Sequence, residues 1–131
     1  MTVPLYQAKA DLLRVLGHPA RIRVLELLAD RERSGGQLLA EIPIEAGSLS
    51  QQLAVLRRAG LVGQRRENDG VVYSLVVPEV RGVLLAARAL LEGLLGEPEA
   101  IVTDLRVPVT PHAGASVGSV ASAVARRSLA G

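Results

Sequence analysis

The feature that most constrains this chain is a change of apolar spacing within the segment 47–75. In its first half, three leucines recur at intervals of four and three residues, which places Leu49, Leu53 and Leu56 on one face of a helix. Gly60 follows shortly afterwards. Glycine is favoured just beyond a helix C-terminus because it adopts positive φ without a steric penalty. The spacing therefore predicts a helix that begins between residues 45 and 48 and ends before Gly60.

The second half of the segment predicts a β-hairpin. Apolar and polar residues alternate in two runs, Leu61–Arg66 and Val71–Leu75, and alternation with period two is the strand pattern. The turn between them contains Asn, Asp and Gly, which tolerate positive φ. No acid lies between residues 48 and 66, and this stretch holds two arginine pairs, Arg57/Arg58 and Arg65/Arg66. A helix followed at once by a basic hairpin is an arrangement suited to double-stranded DNA.

Helical spacing also appears before and after this segment. It predicts a first helix over Leu5–Leu16, a second over Ala20–Ala29, and a long last helix over Pro78–Leu95. A short third helix begins after Ser34, since Ser34 and Gln37 have the spacing of a capping box. The predicted fold class is therefore mainly α with a small β-hairpin (α+β), in the order ααααββα.

The composition predicts one domain with an aliphatic core. The chain has 131 residues, 49% of them apolar, but it contains only two tyrosines and neither Phe nor Trp. This length is that of a single domain. Beyond residue 97, Pro, Gly, Ala, Ser and Val dominate. We predict a folded domain over 1–97 and a low-complexity, flexible tail over 98–131, with a weak Ala-rich helix over 117–129 as the alternative.

Several classes of function are disfavoured by what the sequence lacks. There is no cysteine, hence no disulfide, thiolate metal site or Cys nucleophile. No apolar run approaches the roughly 20 residues of a membrane helix. The first ten residues do not have the pattern of a signal peptide, so we predict a cytoplasmic protein. No nucleophile has a base nearby and no glycine-rich loop could cradle a phosphate, so we predict that the protein is not an enzyme.

The apolar face of the last predicted helix is broader than a small helical core can cover. A surplus apolar face predicts a partner, most simply a second copy of the chain. The residues of this helix predicted to form the dimer surface are Val83, Leu84, Ala87, Leu90, Leu91 and Leu94.

Three separated motifs occur in order along the chain: LGHPARIRVLELL from residue 16, LSQQLAVLRRAGLV from residue 49 and VYSL from residue 72. Together they resemble the ArsR/SmtB family of bacterial transcriptional repressors, over a match of about Leu5 to Leu95. The resemblance implies a homodimeric winged helix-turn-helix regulator, most simply a repressor, that binds a palindromic operator and releases it when an effector binds. It also implies dimerisation through the first and last helices, which adds Leu5 and Leu12 to the predicted dimer surface.

The resemblance makes the helix before the hairpin the recognition helix. Its N-terminal turns would enter the major groove, where Ser48, Ser50 and Gln51 can bond base edges or phosphates. The resemblance implies DNA contact for the positions of Ser50 and Gln51. Gln52 stands where the family often has histidine, and we expect its side chain to bond within the protein.

Other predicted DNA contacts surround this helix. For Arg57 and Arg58, phosphate contact and an ion pair with a neighbouring acid are both open. Strand alternation places Arg65 and Arg66 on opposite faces, so at least one should point outward. Residues at the hairpin turn and at the start of the third helix could approach phosphates. The complete predicted set is Ser34, Gln37, Ser48, Ser50, Gln51, Arg57, Arg58, Arg65, Arg66 and Asn68.

Both metal sites known in the family lack their ligands here. The third helix has no cysteine, and the last helix has no histidine. A non-standard nickel, zinc or cobalt site built from His18, Glu79 or Glu92 stays open, although we expect His18 to have a structural role at a helix start. The other alternative is an interaction module whose DNA binding depends on a partner protein. We predict no cofactor beyond this open metal ion.

Overall fold

The computed structural model describes residues 2–96, in which five helices and three short strands are found. In chain order they are α1 (Leu5–Leu16), α2 (Pro19–Asp30), β1 (Arg33–Ser34), α3 (Gly35–Glu41), α4 (Ala46–Arg58), β2 (Val62–Glu67), β3 (Gly70–Leu75) and α5 (Val80–Leu95). The predicted fold class and the order of helices and hairpin are confirmed, and β1 is an addition to that order. The predicted tail 98–131 and the alternative helix over 117–129 lie outside the described residues.

The helix α2 is the central element of the core. It packs against α1, α4 and β3 and contributes the fully buried Val24 and Leu25. Leu38 of α3 and Leu56 of α4 are also fully buried. Burial of such a side chain contributes about 1.5–3 kcal/mol, so these aliphatic residues are the main source of stability. The predicted aliphatic core is confirmed.

The end of α4 is fixed by a Schellman motif. The amide of Gly60 donates to the carbonyl of Arg57 (3.0 Å), and the amide of Leu61 donates to the carbonyl of Leu56 (3.0 Å). Gly60 has φ of +80°, the left-handed region in which glycine is favoured. Leu56 and Leu61 are both buried, which supplies the apolar contact that accompanies this motif. The chain therefore turns sharply from α4 into the hairpin.

The hairpin is the antiparallel pair β2–β3, in register from Val62 opposite Leu75 to Glu67 opposite Gly70. The strand β2 begins and ends one residue later than predicted, and β3 begins one residue earlier, which leaves Asn68 and Asp69 as a two-residue turn. The strand β1 pairs with the other edge of β3, and the sheet order is β1-β3-β2. The hairpin Val62–Leu75, which we call the wing, is therefore part of a three-stranded sheet in which β3 is the central strand.

The last helix begins two residues later than predicted. Pro78 and Glu79 form a turn in which the amide of Arg81 donates to the carbonyl of Pro78 (3.1 Å), and α5 starts at Val80. The compact unit that contains α1 to β3 ends at Arg81, and the rest of α5 belongs to a second unit. Among residues 2–96, no helix is long and apolar enough to cross a membrane.

Candidate nucleic-acid interface

The helix α4 presents its predicted contact residues on the side opposite its buried leucines. Leu49 and Leu53 are almost fully buried against the core, whereas Ser48, Ser50 and Gln51 are exposed. Because α4 begins at Ala46, all three exposed residues lie in its first two turns. The helix thus has an exposed polar edge at its N-terminal end and a fixed apolar side beneath it.

The arginine pair at the end of α4 is exposed. Within residues 2–96, neither Arg57 nor Arg58 makes a side-chain hydrogen bond or ion pair. The predicted alternative of an ion pair with a neighbouring acid is therefore not found in the described part of the chain. Arg58 lies seven residues after Gln51, two turns further along the same helix face and roughly 10 Å away along the axis. One face of α4 thus carries a polar amide near its start and a guanidinium at its end.

Gln52, by contrast, points into the protein. Its Oε1 accepts a hydrogen bond of 2.9 Å from Nε of Arg21 on α2. The same guanidinium donates through Nη1 to the carbonyl oxygen of Val15 in α1 (2.8 Å). The prediction that Gln52 bonds within the protein is confirmed, whereas its partner Arg21 was missed, since the two residues are 31 positions apart.

The two arginines of β2 have different surroundings. Arg65 donates to Glu67 from Nη2 (2.6 Å) and Nε (3.2 Å), and its Nη1 forms an ion pair with Glu32 of the turn between α2 and β1. The hydrogen bonds that Arg65 donates, to Glu67 first and then to Glu32, raise the pKa of its guanidinium because they stabilise the charged form. Arg66 is exposed, and no ion pair or side-chain hydrogen bond is found for it in the described range. Arg66 is therefore the freer cation of the pair.

Ser34 and Gln37 form the predicted capping box at the start of α3. The Ser34 hydroxyl accepts from the amide of Gln37 (3.1 Å), and Oε1 of Gln37 accepts from the amide of Ser34 (2.9 Å). One acceptor of each side chain is thus engaged within the protein, which leaves the Gln37 side-chain NH₂ and the Ser34 O–H as donors able to meet DNA. Both residues keep their predicted status as contacts, with reduced bonding capacity.

An open groove of about 1100 Å³ separates the start of α3 from the hairpin. It brings together four of the predicted contacts, which are Ser34, Arg65, Arg66 and Asn68. Glu67 and Asp69 also line it, so its charge is mixed. Tyr73 forms part of the floor, near Gly35. The α4 residues are not among the lining residues, so the predicted contacts fall into one set on α4 and one set along this groove, with Gln37 of α3 in neither.

His18 has the structural role predicted for it. It is the N-cap of α2, and its Nδ1 accepts a hydrogen bond of 3.1 Å from the amide of Ala20. Burial and the nearby charge of Arg21 lower the pKa of the His18 imidazole, which favours the neutral form that can accept this bond. Pro19 occupies the first helical position, where its missing N–H is not needed.

The other candidate metal ligands are dispersed. Glu92 is engaged with Arg88 in an ion pair of 3.1 Å. Residues 2–96 contain no group of three or more His, Asp, Glu or Cys side chains close enough to hold a metal ion. A metal site that uses His18, Glu79 or Glu92 would thus need ligands from outside residues 2–96 or from a second molecule.

The predicted dimer residues are all accessible to some degree. Leu5 and Leu12 of α1 are exposed, as are Val83, Ala87 and Leu90 of α5, while Leu84, Leu91 and Leu94 are half-buried. Two further exposed apolar side chains of α1 were missed, namely Tyr6 and Leu13. Helical spacing could have identified them, since they are seven residues apart and therefore lie on one face of α1. Both helices therefore carry apolar side chains that the described fold leaves uncovered.

The geometry of α3, α4 and the hairpin is that of a winged helix-turn-helix, and comparison with known proteins agrees. A family profile described as bacterial regulatory protein, arsR family, matches residues 18–63. The HTH-type transcriptional regulator Rv0081 of Mycobacterium tuberculosis is 47% identical over 104 residues, which cover 79% of this chain and 91% of that protein. This chain belongs to the ArsR family. The predicted family is confirmed, and it is a family of bacterial regulatory proteins.

Solved structures extend the similarity to the fold. The crystal structure of Rv0081 superposes with a TM-score of 0.66 and 47% identity, over 72% of this chain and 96% of that one. The homodimeric winged helix-turn-helix DNA-binding domain Mb0332 of Mycobacterium bovis superposes with a TM-score of 0.59 and 23% identity, over 73% of this chain and 94% of that one.

The biofilm growth-associated repressor of Agrobacterium fabrum is 42% identical over 81 residues, covering 62% of this chain and 69% of that protein.

Proposed function

We propose that this ArsR-family protein binds a palindromic operator in double-stranded DNA as a homodimer and represses transcription. The observation that carries the proposal is the exposed edge of α4, where Ser48, Ser50 and Gln51 lie above buried leucines. Serine can bond several base edges or a phosphate, and glutamine can bond adenine through two hydrogen bonds. Packing beneath the helix holds these groups in place, as base-edge recognition requires.

Cationic side chains support the proposal on both sides of this edge. Arg57, Arg58 and Arg66 are exposed and have no ion pair within the described residues. Unpaired arginines can neutralise phosphates and release counterions, which is the main source of sequence-independent affinity for DNA. The α4 edge would thus supply sequence preference, and the arginines would supply affinity and register.

Dimerisation is proposed from the uncovered apolar side chains of α1 and α5. Leu5 and Leu90 expose 70% and 64% of their surface. Exposed apolar side chains that cluster on a helix face are typical of a surface that binds another protein. The M. bovis domain, which has the same fold, is homodimeric. A two-fold dimer presents two copies of α4, which is why the operator should be palindromic.

The α4 edge can be tested on DNA that the protein itself selects. Duplexes bound from a random pool should contain two half-sites about one helical turn apart. We expect the double substitution Ser50→Ala/Gln51→Ala to remove the preference for the selected duplex over a scrambled one. Gln64→Ala, an exposed glutamine of the hairpin outside the predicted set, is the matched control. Unchanged preference in the double variant would refute the role assigned to α4.

The dimer can be tested separately by light scattering. The mass of a dimer is twice 13.8 kDa. We expect Leu90→Asp to lower the measured mass toward that of a monomer, while Val76→Asp, a change at an exposed valine outside both helices, leaves it unchanged. A wild-type monomer at micromolar concentration would contradict the proposed dimer. It would favour instead an interaction module that depends on a partner protein.

Repression is tested in a reporter assay with the selected operator placed across a promoter. We expect expression to fall when the protein is supplied and to recover with the Ser50→Ala/Gln51→Ala variant. A rise in expression on supplying the protein would show activation instead.

A further inference from the structure

One guanidinium connects three helices. Arg21 lies in the first turn of α2 and is half-buried. Its Nη1 donates to the carbonyl of Val15 in α1 (2.8 Å), and its Nε donates to Oε1 of Gln52 in α4 (2.9 Å). Both distances are those of well-formed hydrogen bonds to a charged donor. Arg21 thus links the last turn of α1 to the middle of the helix that carries the proposed base contacts.

The bond to α1 satisfies a carbonyl that the helix itself leaves free. In the last turn of a helix the carbonyl groups lack an amide partner within that helix. Here Arg14 O accepts from the amide of Gly17 (3.3 Å) and Leu16 O from the amide of His18 (2.9 Å), while Val15 O accepts from Arg21. A positive charge at this end also interacts favourably with the helix dipole.

The bond to α4 acts next to the proposed base contacts. Gln52 follows Gln51 directly and comes one turn after Ser48. Side-chain atoms lie roughly 5–6 Å from a helix axis, so rotation of α4 by about 10° would displace them by about 1 Å. A hydrogen bond to a base edge operates over a donor–acceptor range of only about 0.5 Å, so such a rotation would break it.

We propose that Arg21 is a positioning residue for DNA sequence recognition, which fixes the rotation of α4 relative to α1. The inference rests on the proposed function and assigns a role to a residue that does not itself contact DNA. Because α1 is also a proposed dimer helix, Arg21 connects the dimer interface to the recognition helix through two hydrogen bonds. A change in the packing of α1 would therefore alter the position of Gln51 through the hydrogen bonds of Arg21.

The experiment compares Arg21→Ala with Arg23→Ala. Arg23 lies on the same helix and forms an ion pair of 3.6 Å with Glu26, so its removal changes the charge equally without touching α4. Affinity is measured for a duplex selected by the wild-type protein and for a scrambled duplex, over a salt series. We expect Arg21→Ala to lower the ratio of the two affinities about tenfold or more, the effect of losing a charge-assisted bond, and Arg23→Ala to leave it unchanged.

Two further variants distinguish the loss of the two Arg21 hydrogen bonds from the loss of its charge and from unfolding of the protein. Arg21→Lys keeps the charge, but a single ammonium cannot reproduce the rigid fork that reaches both acceptors, so we expect the specificity to stay low. Gln52→Ala keeps the bond between Arg21 and Val15 and releases α4, so it should lower specificity without unfolding the protein. Wild-type specificity in Arg21→Lys, or equal losses on selected and scrambled DNA in Arg21→Ala and Gln52→Ala, would overturn the proposal.

Hydrogen exchange of the α4 amides without DNA gives an independent measurement. We expect faster exchange in Arg21→Ala than in Arg23→Ala, confined to α4 and the end of α1. If the wild-type protein selected no duplex, the proposed function would fail, and faster exchange would still support the link between α1 and α4. Unchanged exchange would overturn that link whatever the DNA result.

Discussion

Replacement of Arg66 by glutamine should change the salt dependence of DNA binding, while the same replacement of Arg65 should not. The two guanidiniums are adjacent in β2, but Arg65 is bonded to Glu67 and Glu32, whereas Arg66 has no such partner in the described structure. A guanidinium that is already paired with two carboxylates releases few counterions from DNA. The pair therefore provides a matched comparison of a free and an engaged cation.

The magnitude follows from counterion release. Each phosphate neutralised contributes a slope of about −0.9 to the dependence of log affinity on log salt. In a homodimer Arg66→Gln removes two contacts, so the slope should become less steep by about 1.8. Between about 50 and about 200 mM salt, the variant should therefore lose roughly 12-fold less affinity than the wild-type protein.

The assay is a fluorescence anisotropy titration of the selected duplex at four or more salt concentrations. Arg65→Gln should lower affinity little and leave the slope within error of the wild-type value. A slope change of about 1.8 for Arg65→Gln would show that Arg65 leaves its carboxylates to bind phosphate, which would refute the distinction between an engaged Arg65 and a free Arg66. No slope change for Arg66→Gln would refute phosphate contact by Arg66.

Three further predictions concern stability. Leu56→Ala should cost about 2–5 kcal/mol in urea denaturation because the leucine is fully buried, whereas Val76→Ala, at a largely exposed valine, should cost little. Gly60→Ala should destabilise by about 1–2 kcal/mol because the residue has φ of +80°, while Gly36→Ala, at a helical position with space for a Cβ, should not. The lowered pKa of His18 means that the unfolded chain binds a proton more readily, so stability from this residue is complete above about pH 6.5 and is lost as the pH falls through the folded-state pKa. Thermal melts of His18→Asn, which keeps an N-cap acceptor, should show a weaker pH dependence below pH 6.5; the same dependence as the wild-type protein would exclude His18 as its source.

The elements predicted well from sequence are those whose limits depend on nearby residues. The start of α2 follows from His18 and Pro19, and the end of α4 follows from Gly60, since caps are interactions across a few positions. The strand β1 could not be predicted, because two residues show no alternation. It exists through pairing with Tyr73 and Val72, about 40 positions later.

The same distinction applies to the candidate site. The bond between Arg65 and Glu67 joins residues two apart on one strand, so alternation could have indicated it. The bonds from Arg65 to Glu32 and from Arg21 to Gln52 span 33 and 31 positions, and side-chain partners at that separation depend on how whole elements pack. Sequence therefore identified the polar edge of α4, while tertiary structure shows which side chains remain free.

Ser34 belongs to two structures at once. Its backbone pairs with Val72 in the sheet, and its hydroxyl begins α3 through the capping box. The spacing between β1 and α3 is therefore fixed, since one residue inserted between Arg33 and Gly35 would separate the strand pairing from the helix start. The Asn68–Asp69 turn, by contrast, belongs only to the hairpin and is exposed. Natural or engineered insertions should accordingly be tolerated at the Asn68–Asp69 turn and rejected between Arg33 and Gly35, which makes this turn the place to attach a fluorescent reporter without disturbing the fold.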